Sequence, residues 1–199
     1  MGVTAPLANS ARLFVQGPGD STFQSWGVYV NLQTIDKQFL KYVFGEVSGE
    51  VGNLYDTYND FYFTDLDRCG ARSQAGEGPL DQEARFELET NDSSPDVDDL
   101  TALLDAVYEP SSGGICRAAD YAADSFVASA ETIADLDALL ALAAGDALLA
   151  NWDGFFGARN NYKLYHELAR DRFVVIPAGL DQELGWAEGV YYANWHYPI

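Results

Sequence analysis

Hydrophobic and polar residues alternate along the first part of the chain. Val28, Val30 and Leu32 fall on one face of the segment SWGVYVNLQ. A similar segment, ARLFVQG, precedes it, and the turn-rich residues PGDST separate the two. Two alternating runs joined by glycine, proline and aspartate are typical of antiparallel strands. The pattern therefore predicts a β-hairpin over residues 11–33.

A helical pattern follows the hairpin in the segment TIDKQFLKYVFG. Ile35 and Phe39 recur at helical spacing, and Thr34 occupies the expected N-cap position. Gly45 stands where the helix should end, because glycine tolerates the left-handed conformation that closes many helices. The next segment, GEVGNLYD, is predicted to be extended.

A second helix is predicted from the segment SSPDVDDLTALLDAVYEP. Ser94 provides an N-cap, Pro95 occupies the first helical position, and the following aspartates complement the positive end of a helix. Apolar residues recur along one side at Val97, Leu100, Leu103, Leu104 and Val107. We interpret this acid cluster as the start of a helix and not as a metal site.

The middle of the chain is predicted to be helical and its end to be a β-hairpin. One helix is expected near residues 118–128. A longer one covers IADLDALLALAAGDALLA, which is apolar on nearly all sides and is therefore predicted to be the central buried helix. NYKLYHEL and RFVVIPAGL are interpreted as two strands joined by the turn ARD. The whole pattern predicts an α+β fold in one domain over residues 1–199.

The charge of the chain excludes some classes of partner. It has 31 acidic against 11 basic residues, a net charge of −20 and a pI of about 4.1. Such a surface repels phosphate backbones and anionic membranes, so we expect no nucleic-acid partner. No run of 18 apolar residues occurs, so we expect no membrane insertion. The acidity itself fits a high-salt habitat or ordinary solubility outside the cytosol.

The two cysteines and the acidic segment 56–67 raise the question of a metal site or a disulfide, but neither has the residue spacing of a known metal-binding motif. Cys69 and Cys116 are far apart and form no CxxC pair, so zinc is improbable, and either a disulfide or two thiols remain open. The acidic residues 56–67 lack the spacing and the glycine of an EF-hand loop. A solvated acidic loop is the favoured interpretation of that segment.

The segment NWDGFFGARNNYKLY has a different polar pattern. Asp153 follows the long apolar helix, Asn160 and Asn161 enter the next strand, and Asp181 follows the second strand of the final hairpin. Protein kinases use such an order, with a catalytic aspartate, a metal-binding asparagine and a second metal-binding aspartate. Carboxylate and amide oxygens suit magnesium. The alternative is that Asp153 caps a turn and the asparagines fill left-handed turn positions.

Longer motifs resemble the CotH family of spore-coat-type atypical protein kinases. NWDGFFGARNNYKLYHELARDRFVVIPAGLDQELGW is similar to that family's signature of NWD, a short loop, NNYYLY, a turn and IPWDLD. Upstream, SWGVYVNLQTIDKQFLKYVFG and VGNLYD look like the family's WGVY strand with its helix and like GNLYK. The resemblance covers most of the chain from residue 25 to residue 186.

The resemblance implies a kinase-like fold, ATP with magnesium or manganese as cofactors, and phosphorylation of Ser or Thr in a protein substrate. By the kinase order, Asp153 would be the catalytic base, Asn161 or Asn160 a metal ligand and Asp181 the candidate for the second acid. In the family's PWDLD, Asp181 matches only the second acid. Gln33 corresponds to a glutamate on the ATP side of the family's site. A coat or surface protein is the implied partner, and an extracytoplasmic or cell-surface location is favoured.

The chain departs from the family's pattern at three places. Gly179 stands where the family has the first acid of PWDLD, and Gln33 replaces the usual glutamate. We also find no counterpart of the family's amino-terminal R-G-x-S segment, so most of the N-terminal lobe is expected to be missing, either lost or encoded upstream. Losing a metal ligand should cost several kcal/mol of transition-state stabilisation, on the order of other electrostatic effects in such sites.

These departures leave a second hypothesis open. The chain could be a non-catalytic relative, a coat or surface binding module that keeps the fold without the activity. A third possibility, a carbohydrate-binding surface, is suggested only by the terminal aromatic residues Tyr191, Tyr192, Trp195 and Tyr197. A packed terminal strand is the favoured interpretation of those residues.

Overall fold

The computed structural model describes residues 3–57, 86–107, 123–151, 153–157 and 160–179. Its elements, in chain order, are β1 (Ala8–Val15), β2 (Gln24–Leu32), α1 (Lys37–Phe44), β3 (Leu54–Thr57), β4 (Phe86–Leu88), α2 (Asp98–Val107), α3 (Ala123–Ile133), α4 (Leu136–Leu149), β5 (Tyr162–Glu167) and β6 (Arg172–Pro177). Helices and antiparallel sheets are both present, which confirms the predicted α+β class.

The main sheet joins distant parts of the chain. Its strand order is β4-β3-β5-β6, and all neighbouring strands are antiparallel. Leu54 of β3 lies opposite Tyr165 of β5, and Tyr165 in turn lies opposite Val174 of β6. The final hairpin was predicted from its alternation and is confirmed. Its pairing with β3, more than a hundred residues earlier, was not foreseen.

The two faces of this sheet are covered by different helices, because successive side chains of a strand point to opposite sides. One core contains Ile35, Phe39 and Leu40 with Val51, Leu54, Tyr165, Val174 and Ile176. The other contains Leu100 and Leu103 with Tyr55, Phe86, Tyr162, Leu164 and Phe173. Helix α1 therefore packs on one face and α2 on the other.

The first hairpin forms its own two-stranded sheet. Ala8 pairs with Leu32 and Arg12 with Val28 in the antiparallel register that the alternation predicted. The predicted apolar face is nevertheless open to solvent, with Val28 65% and Val30 71% exposed. In the described part of the chain, the hairpin is thus a structured but uncovered ribbon.

Helices α1 and α2 begin later than the sequence predicted. Asp36, not Thr34, caps α1, because its Oδ1 accepts hydrogen bonds from the N–H groups of Gln38 and Phe39 at 2.9 Å each. Gly45 ends α1 as predicted. Helix α2 begins at Asp98 instead of at Pro95.

The start of α2 is set by a carboxylate. Asp96 accepts a hydrogen bond from the N–H of Asp98 at 3.0 Å, which replaces the predicted cap by Ser94. In α1 an aspartate takes the cap that was predicted for Thr34, in keeping with the higher N-cap preference of aspartate over threonine.

The prediction that α4 is a central buried helix was wrong. Only Leu142 and Asp146 of this helix are buried, whereas Leu148 is 83% exposed. Helix α4 instead lies at the edge of the sheet, where the N–H of Asp135 donates to the carbonyl of Phe173 in β6 at 2.9 Å. This hydrogen bond attaches the start of α4 to β6 and thereby fixes the position of the loop that follows α4 at Asn151.

Several predictions fall outside the described residues. They concern Cys69, Cys116, Asp181, the acidic segment beyond Thr57, and the terminal aromatic strand. Within the described ranges, no helix combines the length and apolarity needed to cross a membrane.

Candidate functional site

Asp153 lies in the loop that follows α4. The helix closes at Ala150, whose left-handed conformation (φ 54°) turns the chain, and the N–H of Asn151 then donates to the carbonyl of Asp146 at 2.9 Å. The turn carries Asp153 inward until it is only 6% exposed. Burial of a carboxylate requires hydrogen-bond partners, and the start of β5 provides them.

Asn160 and Asn161 both reach the Asp153 carboxylate. The Asn161 Nδ2 donates to Asp153 Oδ2 at 2.6 Å, and the Asn160 Nδ2 approaches Asp153 Oδ1 at 3.3 Å. Asn161 has a left-handed backbone (φ 50°), and its carbonyl accepts the N–H of Ala178 at 2.8 Å. The structure thus brings three of the residues predicted from the sequence into one cluster, which we call the Asp153 cluster.

Gly179 faces this cluster from the end of β6. Its backbone is left-handed (φ 68°), and a Cβ placed on it would come within 2.9 Å of Asn161 Cγ and 3.0 Å of Asn161 Oδ1. The Asn161 side chain therefore occupies the space into which an acidic side chain at position 179 would extend. The departure of Gly179 from the family pattern has a structural counterpart in the position of Asn161.

Gln33 lies at the base of the first hairpin. Its Oε1 accepts the N–H of Leu7 at 3.3 Å, and its own N–H donates to the Leu7 carbonyl at 2.8 Å. It lines a shallow cavity of about 400 Å³ with Asp36 and Tyr42. These contacts hold Gln33 to the hairpin and not to the Asp153 cluster.

The described residues do not by themselves make a magnesium site. Asp153 already accepts two amide donors, Asn161 Oδ1 is one further oxygen ligand, and Gly179 has no side chain to contribute. Among the described residues, no group of three His, Cys, Asp or Glu side chains could hold a metal. Magnesium usually keeps several water molecules and takes only one or two protein carboxylates, so Asp153 is the one described carboxylate of this cluster that could serve it.

A second polar cluster at the other end of β5 was missed by the sequence interpretation. His166 Nδ1 lies 3.0 Å from Asp99 Oδ2, and His166 Nε2 lies 2.9 Å from Asp171 Oδ1. The Tyr55 hydroxyl donates to Asp99 Oδ1 at 2.5 Å, and Asn53 Nδ2 donates to Asp99 Oδ2 at 3.1 Å. We call these residues the His166 cluster.

The pKa values in the His166 cluster shift in a mutually consistent way. The hydrogen bond to Asp99 raises the pKa of His166 despite the opposing effect of burial. Burial tends to raise the pKa of Asp99, but hydrogen bonds from His166 and Tyr55 bring it below its usual range. Burial, with Asp99 adding to it, raises the pKa of the Tyr55 hydroxyl. Both shifts favour the charged pair, because the hydrogen bond between His166 and Asp99 raises the pKa of the imidazole and lowers that of the carboxyl group.

The signal for this second cluster lies in the strand register, not in any motif. Asp99 belongs to the acids that were interpreted as a helix start, and it does stand in the first turn of α2. Tyr55 and His166 meet it only because β3 and β5 are neighbours and both side chains point to the face covered by α2. A cavity of about 550 Å³ adjoins His166 and Asp99.

The comparisons with known proteins agree with this architecture. The family model described as CotH kinase protein matches residues 1–196. The chain therefore belongs to the CotH family, and the family implies that its α+β fold is kinase-like. No curated protein matches the chain. The resemblance expected from the NWD, NNYKLY and IPAGLD segments is confirmed and extends over nearly the whole sequence.

Proposed function

We propose that this CotH-family domain is an ATP-dependent protein kinase that transfers the γ-phosphoryl group to a Ser or Thr hydroxyl of a protein substrate. The observation that carries the proposal is the convergence of the half-buried Asn160 and Asn161 on the buried Asp153 between α4 and β5. The catalytic loop of protein kinases contains an aspartate that accepts the substrate proton and, a few residues later, an asparagine that binds a metal. Asp153 and the two asparagines occur in the same order.

In this mechanism Asp153 acts as the base. One of its carboxylate oxygens accepts the proton of the substrate hydroxyl as the hydroxyl oxygen bonds to the γ-phosphorus, and the bond from that phosphorus to the β-bridging oxygen breaks to release ADP. Asn161 and Asn160 fix the carboxylate through their amide donors. Magnesium or manganese, when bound, neutralises the phosphate charge, and Asp181 is the proposed additional ligand.

A non-catalytic coat or surface binding module is the second candidate, and Gly179 favours it. A glycine offers no ligand to a cation, and the Asn161 side chain fills the space in front of it. Under this alternative the Asp153 cluster only stabilises the junction between α4 and β5. The acidic surface, with its net charge of −20, would then bind a basic partner.

The deciding experiment is labelling of a protein acceptor with radioactive ATP in the presence of magnesium or manganese. We expect Asp153→Ala to lower the labelling rate about 100-fold or more, as removal of a general base does. Asp171→Asn is the control, since Asp171 is an exposed acid at the opposite end of β5. Thermal unfolding verifies that both variants fold.

The two candidates give different outcomes in this assay. Labelling by the parent and by Asp171→Asn but not by Asp153→Ala supports the kinase. Equal background from all three proteins, each of them folded, contradicts it and leaves the binding module.

A further inference from the structure

Beneath the Asp153 loop, Asp146 and Asn151 form a buried pair. Asn151 Nδ2 donates to Asp146 Oδ1 at 2.9 Å, and the backbone N–H of Asn151 donates to the Asp146 carbonyl at the same distance. Asp146 is 7% and Asn151 5% exposed. Two hydrogen bonds thus attach Asn151 to the last turns of α4 before the chain reaches Asp153.

Two side-chain oxygens of Asp146 and Asn151 have no hydrogen-bond donor among the described residues. Within the described part of the chain, Asp146 Oδ2 and Asn151 Oδ1 are both buried and accept no hydrogen bond. Both are acceptors if the carboxyl group is ionised, so neither can satisfy the other. Leaving a buried acceptor unpaired costs about 1 to 3 kcal/mol, and more for a charged group.

A single proton on Asp146 Oδ2 would turn one of these two acceptors into a donor. If Asp146 Oδ2 carries a hydrogen and donates it to Asn151 Oδ1, the carboxyl and the amide close a ring with one hydrogen bond in each direction. An ionised Asp146 would be a desolvated charge whose partners are the Asn151 amide and the Phe156 N–H. Burial raises the pKa of Asp146, and hydrogen bonds from Asn151 and Phe156 offset only part of that rise.

We propose that Asp146 is a positioning residue that stays protonated in the folded protein and, through Asn151, holds the loop that presents Asp153. The inference rests on the proposed role of Asp153 in phosphoryl transfer. Gly154 supports it, because a Cβ there would come within 2.5 Å of Asn151 Nδ2 and 2.9 Å of Asp146 Oδ2. The loop therefore packs directly against the pair, on the side of Asp146 Oδ2.

The titratable group nearest to this pair along the loop is Asp153 itself, which is bonded to Asn160 and Asn161. The pKa of Asp146 is governed by burial and by neutral donors, with no charged side chain among its causes. The proton is thus retained because the site is buried, and not because another acid repels it.

The test is a carboxyl titration by carbon NMR on the full chain, with Asp146→Asn used to assign the resonance. We expect one aspartate resonance, absent from Asp146→Asn, to lose its proton at a higher pH than the exposed carboxyl groups do. Hydrogen exchange of the amides of residues 153–157 gives a second readout. Asp146→Asn can replace both hydrogen bonds of the ring and should keep their protection, whereas Asp146→Ala should lose it.

The carboxyl titration and the hydrogen exchange do not depend on phosphotransfer. A parent protein without kinase activity would therefore overturn the proposed function and leave this inference standing. If labelling is measurable, Asp146→Ala should lower kcat about tenfold or more with an unchanged KM for ATP, because only the position of Asp153 is affected. Two outcomes would overturn the inference. One is ionisation of Asp146 together with the surface carboxyl groups at about pH 4, and the other is equal loss of amide protection in the Asn and Ala variants.

Discussion

The two ends of strand β5 carry similar residues and have different chemistry. At one end, Asp153 is held by the neutral amides of Asn160 and Asn161. At the other, Asp99 is held by His166 and Tyr55, and a second carboxylate, Asp171, bonds the far side of the imidazole. Each end holds an aspartate against the same strand, buried in the case of Asp153 and half-buried in the case of Asp99.

The difference lies in how the negative charge is compensated. The side-chain amides of Asn160 and Asn161 are neutral donors, so they bond the oxygens of Asp153 without bringing a positive charge to it. A protonated His166 cancels the charge of Asp99, which leaves that carboxylate a structural role. The proposed kinase function places catalysis at the amide-bonded end, whereas the charged contacts of the other end are expected to act on stability.

The largest loss of unfolding free energy is expected from an alanine substitution at Gly52, near His166. The matching substitution at the Asp153 end is Gly154→Ala. A Cβ at Gly52 would lie 1.7 Å from the carbonyl oxygen of His166, which is backbone and cannot move without breaking β5 from β3. Gly52→Ala should therefore cost more than about 4 kcal/mol of unfolding free energy. Gly154→Ala meets the side-chain atoms of Asn151 and should cost about 1 to 2 kcal/mol.

Urea unfolding of both glycine variants measures this difference. Similar losses for Gly52→Ala and Gly154→Ala would contradict the view that backbone contact makes the His166 end the more rigid one.

The next effect compares the two aspartates directly. Asp99→Ala removes the acceptor of Tyr55 and Asn53 and leaves His166 without its buried counter-ion, so we expect a loss of about 3 kcal/mol. Asp153→Ala leaves only neutral amides unpaired and should cost about 1 to 2 kcal/mol. The unfolding free energies of the two variants, measured by urea titration at neutral pH, give the comparison. A greater loss for Asp153→Ala would reverse the assignment of roles.

A smaller effect tests how tightly Asn161 blocks position 179. Gly179 and Gly49 both have positive φ angles, of 68° and 85°, so an alanine is strained at either position. Only at Gly179 would the new Cβ also meet a side chain, that of Asn161. Gly179→Ala should therefore lower the unfolding free energy by about 1 kcal/mol more than Gly49→Ala. Equal losses would mean that Asn161 moves aside freely and that an acid could be accommodated there.

The smallest effect is a pH dependence confined to the His166 end. Because the pKa of His166 is raised in the folded state, its contribution to stability is complete below the unfolded value of about 6.5 and is lost as the pH rises through the folded pKa. Urea midpoints of the parent should therefore fall as the pH rises above about 6.5. His166→Gln should remove this part of the slope. An identical pH profile for the two proteins would show that Asp99 and Asp171 do not hold a proton on His166.

Local pattern was enough to predict several parts of this protein. Each of these parts depends on only a few consecutive residues. They are the alternation of β1 and β2, the final hairpin, the end of α1 at Gly45 and the ordered motifs around Asp153. The spacing of Asp153, Asn160 and Asn161 could be interpreted as one site, because a short loop between a helix and a strand leaves their side chains little freedom to separate. Family membership follows from those same motifs.

Tertiary structure decided what local pattern could not contain. Hydrophobicity predicted a buried α4, but its position at the sheet edge leaves most of its surface exposed, since burial depends on neighbours that the helix itself does not specify. The His166 cluster exists only because β3 pairs with β5 and α2 covers their shared face. The unpaired oxygens of Asp146 and Asn151 were equally invisible, because a missing hydrogen-bond donor is a property of the folded surroundings and not of any residue alone.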